Sequence, residues 1–103
     1  MKYSIPMDEK MKTSVIAPIL GRAKYFAIYD TDTKDLSYLD NPGVKQAKGA
    51  GNLAAQTLVE LGIDKVVTAH IGPNAQNALE TGEIKIVKEN GLTLEEVIEK
   101  YSK

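Results

Sequence analysis

The sequence predicts an α/β domain built on a five-stranded mixed sheet. Three observations carry that expectation. Short apolar runs with strand character fill the first forty residues, and helical spacing alternates with strand-like runs after Gly51. The doublet Val66-Val67 also indicates a strand buried on both faces, as parallel strands are. At 103 residues the chain suits one domain spanning residues 1–103, because two halves would each be too small to bury an adequate core.

Taken in order, Tyr3 and Ile5 alternate with Lys2 and Ser4, giving a first strand that Pro6 is expected to end, since proline cannot donate to a sheet ladder. Met7 to Arg22 shows no sustained period and contains Pro18 and Gly21, so it reads as a long loop in which Val15, Ile16, Ile19 and Leu20 tuck against the core. Lys24 to Tyr29 and Leu36 to Leu39 flank the turn-forming Asp30 to Asp35, a hairpin closed by Asn41-Pro42-Gly43.

From Gly51, Leu53, Ala54, Thr57, Leu58 and Leu61 recur at helical spacing, and Gly62 stands where a left-handed cap belongs. Lys65 to Ala69 is the fourth strand. Gly72-Pro73-Asn74 opens a second helix, with proline tolerated in the first turn, and Gly82 closes it. Ile84 to Val87 is the fifth strand. Thr93 and Glu96 form a capping box for a last helix whose Leu94, Val97, Ile98 and Tyr101 share one face. The right-handed crossover rule then orders the sheet 3-2-1-4-5 with strand two antiparallel.

Thirteen basic and fourteen acidic residues give a formal charge of -1, so no global field draws the chain to nucleic acid or a membrane, and neither is expected as a partner. The absence of cysteine excludes disulfides and any iron-sulfur cluster held by the chain's own thiolates. Residues 1–10 are too polar for a signal peptide or a membrane span, and the expected location is the cytoplasm. No cysteine, no G-x-S-x-G and a single histidine leave nothing from which to build a nucleophilic triad.

The predicted order places a switch point between strands one and four, where open α/β sheets bind ligands at the carboxyl edge. That edge collects Pro6 to Arg22, Asn41 to Gly51, His70 to Asn74 and Lys88 to Gly91. Gly49 and Gly51 precede one helix and Gly72 with Asn74 opens another, so two sets of free amides with positive dipole ends would face one crevice suited to an anion. Gly21 and Arg22 join them, Arg22 and Lys24 as positive charges. His70 is the candidate nitrogen donor to a metal, and Asp8 and Glu9 are candidate oxygen donors in the first loop.

The ordered set Gly21-Arg22-Ala23, Asn41-Pro42, Gly49-Ala50-Gly51, Leu61-Gly62-Ile63-Asp64 and Ile71-Gly72-Pro73-Asn74-Ala75, with Ala78-Leu79, Gly82, Ile84-Lys85-Ile86 and the closing helix, resembles the dinitrogenase iron-molybdenum cofactor biosynthesis family, NifX-like and similar to the C-terminal region of the enzyme that builds the cofactor's precursor. The resemblance covers nearly the whole chain. It implies a three-layer ribonuclease H-like fold and a carrier of an iron-molybdenum cofactor or iron-sulfur precursor cluster, with protein partners in cofactor assembly. The family often has a histidine and an aromatic residue before Gly-Arg-Ala, where this chain has Ile19 and Leu20, so His70 is the one imidazole left.

The expected function is therefore a non-enzymatic binding or carrier module for an anionic metallocofactor. The alternative is a protein-interaction or regulatory domain that binds no cofactor. Nuclease activity, which the ribonuclease H-like fold brings to mind, needs acids on the first strand, and Lys2-Tyr3-Ser4-Ile5 has none.

Overall fold

A computed structural model describes residues 1–46 and 48–102. The strands are β1 (Lys2–Met7), β2 (Tyr25–Asp30), β3 (Leu36–Asp40), β4 (Lys65–Thr68) and β5 (Lys85–Lys88), and the helices are α1 (Ala50–Glu60), α2 (Pro73–Thr81) and α3 (Leu94–Tyr101). Short 3-10 turns cover Leu20–Arg22 and Pro42–Lys45. The sheet order is β3-β2-β1-β4-β5. β2 runs antiparallel to both its neighbours, and β4 is parallel to β1 and β5. Order and directions agree with the crossover argument.

Local chemistry accounts for the element ends. Gly62 takes φ 72 after α1, the left-handed conformation expected of it. In the α3 capping box the Glu96 amide donates to Thr93 Oγ1 at 3.2 Å and the Thr93 amide to Glu96 Oε1 at 3.0 Å. Val66 and Val67 are both fully buried, one on each face of β4.

The sheet separates two cores. Phe26, Val66, Leu58 and Leu79 belong to the one under α1 and α2, and Tyr3, Ile5, Val67, Leu94 and Val97 to the one under α3. The result is three layers. No described helix is long and apolar enough to cross a membrane.

Two expectations need correction. β1 does not stop at Pro6 but runs through it to Met7, with Pro6 opposite Phe26 of β2. The parity explains why. The Lys2 amide and carbonyl both bond to Asp64, so even-numbered residues of β1 turn their backbone groups away from β2. Proline's missing N–H thus falls on the β4 side, past the last β1–β4 pair at Ser4 and Val66, where no ladder bond is lost.

The second correction concerns residues 15–20. Ile16 and Leu20 are buried as expected, but Val15 and Ile19 are 54% and 47% exposed. The segment forms bridges from Val15 to Thr93 and from Ile19 to His70, bends at Pro18 and enters the 3-10 turn at Leu20, so neighbouring side chains point to different surroundings.

Candidate functional site

β1 and β4 pair only at Tyr3–Lys65 and Ser4–Val66, then part toward their carboxyl ends. Residues 16–20 fill the gap. The Ala17 amide donates to the Pro6 carbonyl at 2.8 Å, the His70 amide to Pro18 at 2.8 Å, and the Leu20 amide to His70 at 3.4 Å. The chain then turns through Leu20–Arg22 and lies against the start of α1. A Cβ on Gly21 would stand 2.7 Å from the Gly51 nitrogen, so only glycine lets the two backbones approach this closely.

Asn41 holds this turn from beneath. Its buried side chain donates to the Leu20 and Ala23 carbonyls at 3.1 and 2.8 Å and accepts from the Gly43 amide at 2.9 Å. All three are local consequences of packing a loop on a loop.

The crevice so formed has a volume of about 300 Å³ and is lined by residues 19–22, 49–52 and 70–75. Gly21, Arg22, Gly49, Gly51, His70, Gly72 and Asn74 all line it. The turns that the sequence assigned to one rim do meet there.

Gly49 caps α1 with φ 73, and Gly72 caps α2 in an extended conformation; neither supplies a side chain to the first-turn amides. The first helical acceptors serve Leu53 and Gln76, so the amides of Gly51, Asn52, Asn74 and Ala75 have no partner among the described residues. Two positive dipole ends thus share one cavity. Arg22 Nη1 donates to the Gln46 carbonyl at 3.0 Å, which anchors the guanidinium, and its other N–H donors have no partner among the described residues. No acidic side chain lines the crevice among the described residues.

Other candidates lie elsewhere. Lys24 does not line the crevice. Asp8 borders a smaller pocket beyond Ile19 and Arg22, and Glu9 accepts from Ser14 Oγ at 3.5 Å. Of the segment Lys88 to Gly91, Glu89 pairs with Lys100 at 2.7 Å and with the Tyr101 hydroxyl, away from the crevice. Within Asn41 to Gly51, Ala47 lies outside the described residues.

His70 lines the crevice, yet no group of three or more His, Asp or Glu side chains that could hold a metal ion occurs among the described residues. A bare ion needs more donors than one imidazole. Sequence reasoning passed over Asn52, whose first-turn amide joins the donor set, and Asn41, whose role as a buried scaffold has no signature beyond a turn-forming Asn-Pro-Gly.

Comparison with known proteins places this architecture. Residues 1–103 match a family model described as dinitrogenase iron-molybdenum cofactor. The apo form of the orange protein from Desulfovibrio gigas superposes with TM-score 0.90 at 28% identity, over 97% of this chain and 85% of that one. The solution structure of a proposed NifB protein of the DUF35 family from Thermotoga gives TM-score 0.84 at 30% identity, over 98% and 86%. An uncharacterized protein of Methanocaldococcus jannaschii is 23% identical, over 98% of this chain and 85% of its own length.

Proposed function

This chain belongs to the dinitrogenase iron-molybdenum cofactor family, and we propose that it is a non-enzymatic carrier for an anionic metallocofactor of the iron-molybdenum or iron-sulfur precursor type. The observation that carries the reading is the convergence of two helix N-termini and Arg22 on a crevice that no acidic side chain lines among the described residues.

With no cysteine and no three-donor cluster among the described residues, the cargo keeps its own inner ligands. The chain holds its outer atoms by hydrogen bonds from the amides of Gly51, Asn52, Asn74 and Ala75 and from Arg22. His70 adds one imidazole contact. Among the described residues the lining offers no serine, lysine or carboxylate to act beside that imidazole, which supports carriage over catalysis. The D. gigas relative was solved as an apo form, a term that implies a group it can bind.

We also read the three layers as a ribonuclease H-like fold that lacks nuclease acids, since β1 carries none. Carriage in the cytoplasm requires donor and acceptor proteins in cofactor assembly. A second reading, an interaction domain without cofactor, draws support from Met11, Val15 and Ile19, all exposed on the segment that borders the crevice.

Anaerobic titration with isolated iron-molybdenum cofactor or precursor cluster tests the proposal. Arg22→Ala is expected to weaken binding about tenfold, as loss of a charged hydrogen bond does, and His70→Ala less. A parent chain that binds neither cluster overturns the carrier reading and leaves the interaction domain.

A further inference from the structure

We infer that residues 12–22 form a mechanical strap that couples the crevice wall to the amino end of α3 on the opposite side of the sheet. Its near end is sewn to α3. The Glu95 and Leu94 amides, first-turn donors that the helix itself cannot satisfy, give their hydrogen bonds to the Lys12 and Ser14 carbonyls at 2.9 and 3.0 Å. The Ile16 amide returns one to Leu92 at 2.9 Å.

The strap then passes through the opening between β1 and β4, bonded to Pro6 of one and to His70 beyond the end of the other. Its far end is Leu20–Arg22, wedged against Gly51 and lining the crevice.

The side chains anchor the connection on both sides of the sheet. Ile16, 3% exposed, roots in the core under α3, and Leu20, 1% exposed, roots in the core under α1 and α2. Both anchors sit in close-packed interiors, where one side chain cannot shift without displacing its neighbours, and only three residues separate them. Loosening the α3 end loosens the crevice wall, and by linkage the reverse holds.

The coupling belongs to the ligand-free chain. Only its consequence, that contact at the amino end of α3 alters cargo affinity, rests on the carrier reading.

The test is residue-resolved amide exchange on the full chain without ligand. Thr93→Ala removes the α3 cap hydroxyl; the amides of Leu94 and Glu95 are expected to exchange roughly three- to tenfold faster, and those of Leu20 and His70 to follow by a similar factor. Ile63 and Ile84, whose amides donate to Leu58 of α1 and Leu79 of α2 at the far ends of those helices, stay at parent rates. Thr93→Ser, which keeps the hydroxyl, restores the parent pattern. In the reverse direction Leu20→Ala speeds Leu94 and Glu95.

Acceleration confined to Leu94 and Glu95 overturns the inference, as does uniform acceleration that includes Ile63 and Ile84, because then no local strap opening exists. Neither result depends on whether a cluster binds, so the carrier reading and the strap fail separately.

Discussion

Gly21→Ala probes how closely the crevice wall is fitted to α1. The new Cβ would lie 2.7 Å from the Gly51 nitrogen, 2.8 Å from its Cα and 3.1 Å from the Ala50 carbonyl carbon. Favourable contacts between such atoms begin near roughly 3.5 Å, so the shortfall is close to 1 Å. All three neighbours are backbone, and no rotamer change relieves the overlap; either the first turn of α1 or the Leu20–Arg22 turn must move.

Overpacking of this kind costs about 2 kcal/mol, which for a domain of this size lowers the thermal midpoint by roughly 8 to 16 °C and the urea midpoint by about 1 M. Gly72→Ala is the matched control. Gly72 has φ −71 and ψ 159, and an added Cβ there meets nothing within 4 Å. Alanine caps a helix less well than glycine, so the variant's stability should fall by no more than about 1 kcal/mol. Urea unfolding followed by circular dichroism compares the three chains. Equal midpoints for Gly21→Ala and the parent would refute the close-approach argument.

Four further outcomes follow from particular side chains. Ser4 Oγ is fully buried with no hydrogen-bond partner among the described residues, so Ser4→Ala should leave the unfolding midpoint unchanged or raise stability by up to about 1 kcal/mol; a clear loss would mean the hydroxyl has a partner. Asn41→Ala strands the Leu20 and Ala23 carbonyls and should cost about 3 kcal/mol in urea titrations and, on the carrier reading, cluster affinity in paired binding titrations. The Lys100 ammonium, and then the Tyr101 hydroxyl, hold the Glu89 carboxyl below the ordinary value of 4.5, so its contribution is present above that pH and lost as pH falls through the lower folded value. Glu89→Gln should flatten that part of the acid limb in urea midpoints measured from pH 7 to 3. Finally, Ile19 and His70 are bridge partners, so Ile19→His sets two imidazoles side by side and should give Zn²⁺ binding by calorimetry that the parent lacks.

The layers were legible in the sequence because each rested on a local device that tertiary packing had no reason to override. Val66-Val67 marks a strand covered on both sides, Thr93 with Glu96 starts α3, and Gly62 ends α1. Convergence of the glycine turns followed from chain direction alone once the order of strands was known.

What was hidden depends on which neighbour a backbone group faces. Pro6 reads as a strand end, yet it continues β1 because its nitrogen faces the gap rather than a ladder. Val15, Ile16, Ile19 and Leu20 are alike in hydropathy, and only the threading of the strap between two cores decides that the inner pair is Ile16 and Leu20. Lys88 to Gly91 follows a strand at the predicted edge, but Glu89 is drawn to Lys100 and Tyr101 on the α3 side.

A crevice whose donors are mostly main-chain amides obeys different rules from one built of side chains. Short of a change to proline, no side-chain substitution removes the amides of Gly51, Asn52, Asn74 or Ala75, so on the carrier reading affinity depends on where α1 and α2 begin, and for α1 that is set by Gly21 against Gly51 and by Asn41 beneath the turn. Amides and one guanidinium recognise negative charge and size without demanding a particular metal. On the carrier reading, selectivity among anionic clusters must then come from the shape of a wall that belongs to the strap, and a substitution as far away as Thr93 becomes a way to alter cargo preference without touching the crevice.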